Sequence, residues 1–400
     1  MPVVKPFAHN PGSEKTPEES EYRSDDCLWL FNTVPAYVKE TGDQDFYLKV
    51  LPYADKGEAT VFGHLRRAIE FNLERSGAHD LPCGLAADWN DCLQLGQKGE
   101  TVFVSMQLRY ALKTYIEICD LLKSAHEKKW ASAELKKLDD ALEKHAWDGE
   151  WYLRAYRDDG LKFGSKENEE GSIYLNPQSW AILSGHAGED RAMQILEKVD
   201  EHLATEYGVA LCDPPYEKTD HSVIKAPLFN KGMKENAAIF CHTQGWIVMA
   251  LALSGNGNRA YKYYRSYLPS AFNDRAEVRE TEPYVYAQST NSKYNMRFGS
   301  SRNPWLSGTT TWAYYTAAQY ILGIRPDYDA IVIDPCIPTH WKGFKAERIW
   351  RGNKLSIEVV NPEGVQKGVK IIEINGDSIQ GNRIPVSILK EHNHVGVIMG

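Results

Sequence analysis

The chain is 400 residues long, 42% hydrophobic and 25% charged, a composition that supplies a large core and excludes disorder over most of its length. A formal charge of -8 without a Lys/Arg run disfavours nucleic acid and other polyanions as partners. No window of about 18 apolar residues and no signal-like start argue against membrane insertion and secretion.

Residues 1–23 are polar, rich in Pro, Gly and Glu, and lead straight into a helix without a recognisable domain start. From Cys27 to about Gly323 apolar residues recur at helical spacing, as at Val61, Leu65, Ile69 and Leu73, or Leu108, Leu112, Ile116 and Leu121. The pattern predicts nine helices, near 26–41, 61–76, 101–124, 130–147, 177–187, 190–206, 235–255, 257–271 and 309–322. The long loops between alternate pairs are rich in Gly, Pro, Asp and Asn, and an α/α barrel gathers such loops at one end to build its active site. A barrel of six hairpins needs twelve helices, so the expected fold is mainly α, an (α/α)6-barrel-type domain over 24–325 that is incomplete at its N-terminus. Beyond Gly323 short alternating runs such as KLSIEVVNP (354–362) and VKIIEING (369–376) end at Asn-Pro and Asn-Gly turns. They predict a small antiparallel β domain over 326–400, and its last run closes on Gly400 as a natural C-terminus would.

Seven cysteines, an odd number without CxxC or Cys/His ligand spacing, imply a reduced, cytoplasmic chain and no metal site. Eleven Trp and 22 Tyr suit a carbohydrate site, since an aromatic face packs on the C–H face of a sugar ring.

Four segments could carry chemistry. The densest, Gly84 to Cys92, sets Asp88, Trp89, Asn90 and Asp91 side by side, a mouth or turn; an Asx-turn with a packing indole is an equal reading. Lys234-Glu235-Asn236 followed by Cys241-His-Thr-Gln-Gly-Trp246 places ionisable groups near a helix start, where a capping Glu and a core histidine would look the same. Trp305-Leu-Ser-Gly-Thr-Thr-Thr-Trp312 puts a glycine between hydroxyls ahead of a helix, either an anion site or an ordinary N-cap. Thr281 to Gln288 adds Glu282 and an amide among aromatics, which packing alone would also explain.

Together these segments, with SDDCLWL (24–30), YVKETGD (37–43), GETVFV (99–104) and QYILGIRPDYD (319–329), are similar in order and spacing to glycoside hydrolase family 94, the cellobiose and N,N'-diacetylchitobiose phosphorylases. The resemblance implies inverting phosphorolysis of a β-linked disaccharide, with inorganic phosphate as co-substrate and no metal or organic cofactor. It implies Asp91 as the general acid, which must start protonated in an environment that raises its pKa. Phosphate would be held by His242, Ser307 and Gly308, with Ser307 standing where the family usually has Thr. Trp89, Lys234, Glu235 and Gln288 would bind the donor sugar, and Phe229 would border the acceptor. The family's phosphate-binding Arg, its donor-sugar Arg-Asp pair and its N-terminal β-sandwich lie upstream of SDDCLWL and have no counterpart here. Their loss removes roughly 1.5–3 kcal/mol per charged hydrogen bond and would cripple the chain alone. The partners implied are a disaccharide, of the chitobiose or cellobiose type from the WLSGT and SKYNMRFG segments, phosphate, and a second subunit in a homodimer. Two alternatives remain open: a glucoamylase-like hydrolase, with Glu282 as second carboxylate, and a non-catalytic carbohydrate-binding fragment.

Overall fold

The computed structural model describes residues 22–53 and 56–400. The predicted polar segment 1–23 therefore lies outside the described residues except for Tyr22 and Arg23. The described chain is mainly helical and ends in a β region. It divides into two compact units, one of residues up to Thr33, Asp45–Phe240 and Ser289–Arg302, the other of Val34–Gln44, Cys241–Gln288 and Asn303–Gly400.

Each of the nine predicted helices has a counterpart: α1 Leu30–Thr41, α2 Val61–Leu73, α3 Val102–Leu121, α4 Ala125–His145, α5 Leu175–Leu183, α6 Glu189–His202, α7 Cys241–Leu253, α8 Gly257–Tyr267 and, after a four-residue α9 at Ala276–Arg279, α10 Thr309–Thr316. In the first unit α3 packs against α2, α4 and α5, and α5 against α6. Thr60 and Thr101 start α2 and α3 by accepting backbone N–H bonds from Gly63 and Val104, a hydroxyl satisfying a donor that has no partner within the helix. Val102 to Leu108 are all buried, so α3 is enclosed around most of its circumference at its start.

In the second unit α7 is enclosed still more completely, buried from Thr243 to Ala252, as its nearly all-apolar sequence requires. It packs against α8 and α10. Two boundaries differ from the sequence reading. Residues 235–240 are a turn and a short strand, because Lys234 and Ala237 take left-handed backbone angles, φ +49 and +62, that an α-helix does not admit. The predicted 309–322 helix passes at its end into a π turn over Ala317–Ile321.

The C-terminal part has eight strands: β1 Ile324–Pro326, β2 Ala330–Ile333, β3 Gly343–Trp350, β4 Asn353–Val360, β5 Ile371–Ile374, β6 Asp377–Ile379, β7 Arg383–Pro385 and β8 His392–Ile398. β1, β2 and β7 form one sheet; the other runs β3-β4-β8-β5-β6. Alternation buries Leu355, Ile357 and Val359 of β4 and Val395 and Val397 of β8 on one face. The expected all-antiparallel pairing fails at one place, where β4 and β8 run parallel from Lys354↔His392 to Val360↔Ile398. The connection between them, residues 361–391, is long enough to carry β5 to β7 and return the chain in the same direction.

Candidate functional site

In the first unit the segment Tyr22–Ser24 lies against the stretch before the acidic motif: Ala86 N–H donates to Tyr22 O at 3.0 Å and Ser24 N–H to Ala87 O at 3.1 Å. The chain then turns at Asp88, whose buried carboxylate accepts from Arg154 Nη2 at 2.6 Å, Thr101 Oγ1 at 2.7 Å and the Asn90 N–H at 2.8 Å. Arg154 is itself fully buried and also donates to Thr101 Oγ1 and to Asn90 Oδ1. A buried ion pair survives when most of its donors and acceptors are used; here both terminal nitrogens of Arg154 are bonded, only Nε lacks a partner, and the bonds tie residue 154 to the turn. From the other side Glu235 accepts from Asn90 Nδ2 at 3.2 Å and from the backbone N–H groups of Asp91 and Cys92 at 3.2 and 3.1 Å.

With its neighbours fixed, the Asp91 side chain projects outward, 56% exposed, and its Oδ1 lies 3.7 Å from Arg23 Nε. Two other carboxyls of this unit, Glu235 and Asp25, are pushed up. Burial pushes the Glu235 carboxyl up to about 7, assisted by the Asp91 charge and opposed by hydrogen bonds from Cys92 N–H and Asn90. Burial, followed by the charges of Asp26 and Asp88, pushes Asp25 up to about 8. Trp89 meets Phe240 edge to face, ring centroids 4.7 Å apart. Phe229 packs against the buried cluster of Cys92, Leu93, Leu95 and Ile224 beneath this turn, and its carbonyl accepts from Asn236 Nδ2. Lys234 occupies the left-handed turn just before Glu235.

The second unit holds the anion-binding candidates. His242 sits in the first turn of α7, its ring 5.4 Å from that of Trp246 and 6.0 Å from that of Trp312. Burial pushes its imidazole down to about 4, so it is neutral at pH 7. Gly308 caps α10, and a Cβ there would lie 3.7 Å from His242 Nε2, which brings the two predicted anion ligands side by side. Ser307 Oγ accepts from the Thr309 N–H at 3.0 Å and shares a hydrogen bond with Thr309 Oγ1. A neutral imidazole beside a helix N-terminus and a hydroxyl can receive a phosphate oxygen. Gln288 Oε1 accepts from Asn303 Nδ2 at 3.1 Å. Glu282 accepts from Trp305 Nε1 at 3.3 Å, and hydrogen bonds, first from its own backbone and then from that indole, hold its carboxyl below the usual range.

Within its own unit, then, the structure brings Asp91 to Glu235 and His242 to Gly308. Sequence reasoning missed Arg154 and Arg23. A signal for Arg154 existed in the lone cation of the otherwise apolar run Trp151 to Tyr156; Arg23 gave none, being one of several charges in a polar stretch.

Residues 5–323 match the model of the glycosyl hydrolase 94 superfamily catalytic domain, and residues 324–370 that of the glycosyl hydrolase family 65 C-terminal domain. The chain belongs to the glycosyl hydrolase 94 superfamily. It is 39% identical over 379 residues to N,N'-diacetylchitobiose phosphorylase of Vibrio proteolyticus, covering 94% of this chain and 47% of that protein. To solabiose phosphorylase of Paenibacillus borealis it is 36% identical, covering 92% of this chain and 49% of the relative. The chain thus spans about half the length of the curated relatives it matches. A solved sialidase shares the fold, with a TM-score of 0.61 at 14% identity over 86% of this chain and 30% of the other.

Proposed function

We propose that this chain is the acid-bearing and phosphate-binding part of an inverting disaccharide phosphorylase acting on a β-linked glucosyl or N-acetylglucosaminyl disaccharide of the cellobiose or N,N'-diacetylchitobiose type. The reading rests above all on one observation: an exposed carboxylate, Asp91, stands on a turn that buried Asp88 and Arg154 and half-buried Glu235 fix in place. The Asp91 carboxyl gives its proton to the glycosidic oxygen as that C–O bond breaks. A phosphate oxygen bonds to the anomeric carbon from the opposite face, so the products are an α-sugar 1-phosphate and a free monosaccharide. Phosphate is already an anionic nucleophile, so no second carboxylate is needed to activate water. His242, Ser307 and Gly308 take the phosphate; Trp89, Lys234, Glu235 and Gln288 take the donor sugar, and Phe229 borders the acceptor.

The fold that fits these roles is a partial (α/α)6 barrel over 24–325 with a β domain over 326–400. The helix hairpins α3–α4, α5–α6 and α7–α8 support it, as does the boundary between the two family models at 323 and 324. We assign the protein to the cytoplasm, where its seven buried thiols stay reduced, and to a homodimer, the assembly that the resemblance implies.

Incubation of the chain with phosphate and each candidate disaccharide, assayed for α-sugar 1-phosphate, tests the reading. Product that falls at least about 100-fold in Asp91→Asn is expected, the size of a lost general acid. Monosaccharide released equally without phosphate would make the chain a hydrolase, and disaccharide bound without turnover would make it a binding fragment.

A further inference from the structure

Not every aromatic of the two segments 281–288 and 305–312 is packed: Val285 and Ala287 are buried and Tyr286 lies against Tyr267, but Tyr284 is open. In the second unit Tyr284, Trp305 and Leu306 are 76%, 66% and 72% exposed, although large apolar side chains ordinarily cover themselves. Tyr284 and Trp305 stand at a steep angle, ring centroids 6.3 Å apart and planes at 72°, so their faces make an open corner. The Trp305 indole is oriented by donating Nε1–H to Glu282 Oε1. Its backbone holds φ +72, two residues after Asn303 at φ +48, an unfavourable conformation for a bulky side chain that persists where its surroundings enforce it. The Trp305 N–H donates to Tyr286 O, which ties the residue to the preceding segment, and the Ser307 N–H turns back to Trp305 O.

The corner adjoins both kinds of candidate ligand residue in its unit. Gln288 accepts from Asn303 on one side, and Ser307 and Gly308 follow Trp305 directly on the other. We propose that Tyr284 and Trp305, with the Glu282 carboxylate at the Nε1 edge of the indole, form a platform for a pyranose ring, a sugar subsite beyond the residues assigned above. The inference deepens the phosphorylase reading and rests on it for the identity of the ligand as a β-linked saccharide. An aromatic face takes the C–H side of the ring while a carboxylate accepts from its hydroxyls. Glu282 then acts as a sugar ligand and as the orienter of Trp305, a different part from that of a second catalytic acid.

Direct binding tests it independently of turnover. Cellobiose and N,N'-diacetylchitobiose are titrated into the chain, followed by calorimetry and by saturation transfer to the sugar C–H protons. The affinity for at least one of them is expected to fall about fivefold to tenfold in Trp305→Ala and in Tyr284→Ala, and to be retained in Trp305→Phe. Glu282→Gln is expected to weaken it less. Both positions are exposed, and equal unfolding midpoints check that the variants fold. Unchanged affinity in both alanine variants, absence of binding to wild type, or a dimer at the titration concentration that dissociates in Trp305→Ala would each overturn the proposal. Binding that depends on Trp305, with monosaccharide released equally with and without phosphate, would sink the phosphorylase reading alone.

Discussion

Around Asp91 the polar groups bond one another: buried Asp88 with Arg154 and Thr101, half-buried Glu235 with the N–H groups of the turn. Around His242 the enclosure is aromatic, two indoles beside an imidazole that burial keeps neutral. The first region fixes the position of the carboxylate proposed as proton donor. In the second, the proposed phosphate would meet dipoles and a hydroxyl rather than a full positive charge. Preorganisation by ion pairing and preorganisation by desolvation have different weak points, and substitutions separate them.

The largest effect is expected from Arg154→Met. Removing one member of a buried ion pair strands the other, at a cost of about 3–5 kcal/mol, read from denaturant unfolding. The double variant Arg154→Met/Asp88→Leu recovers part of that loss. A single variant within about 1 kcal/mol of wild type would show that the pair does not anchor the turn.

Glu235→Gln comes next and bears on pH. The folded Glu235 carboxyl titrates near 7, above its ordinary value of 4.5, so between those pH values the folded state holds the extra proton. Its ionisation therefore lowers stability as pH rises from about 4.5 to about 7, by on the order of 1–3 kcal/mol. The glutamine variant is expected to flatten that part of the stability profile. An unchanged slope would mean that Glu235 is not the group responsible.

His242 gives the opposite sign. Its folded value near 4 lies below the ordinary 6.5, so the unfolded state binds the extra proton and stability falls as pH drops from about 6.5 towards 4. The loss by pH 5 is expected to be about 2 kcal/mol. The imidazole C–H resonances follow the titration directly: a midpoint near 4 that moves up when phosphate is added supports the anion role, and a midpoint that phosphate leaves in place argues against it. Smallest of all, Ser307→Ala removes the acceptor for the Thr309 N–H and is expected to cost about 0.5–1 kcal/mol, with Ser307→Thr close to wild type.

Periodicity alone located the helices, because a helix that buries a face must repeat apolar residues near 3.6; α2, with Val61, Leu65 and Ile69 buried, is a direct case. The order of ADWNDC, KEN, CHTQGW and WLSGT fixed the family, since several long motifs in one register do not recur by chance. Chemistry of single residues was less legible. That the Glu235 carboxyl is pushed up depends on how far it loses its water, a property of the packed turn. Arg154 lies 66 residues from Asp88 in sequence, and no local pattern announces a partner at that distance. Packing was the simple reading of Tyr284, and the Trp305 segment read as an anion site or N-cap, until the fold left both rings exposed. What the sequence determined by itself was the set of elements and the family, both written in local spacing and residue order. Which polar groups are buried, which acids are paired and which aromatics remain open only the tertiary structure decided, because desolvation and long-range pairing are made when distant segments meet.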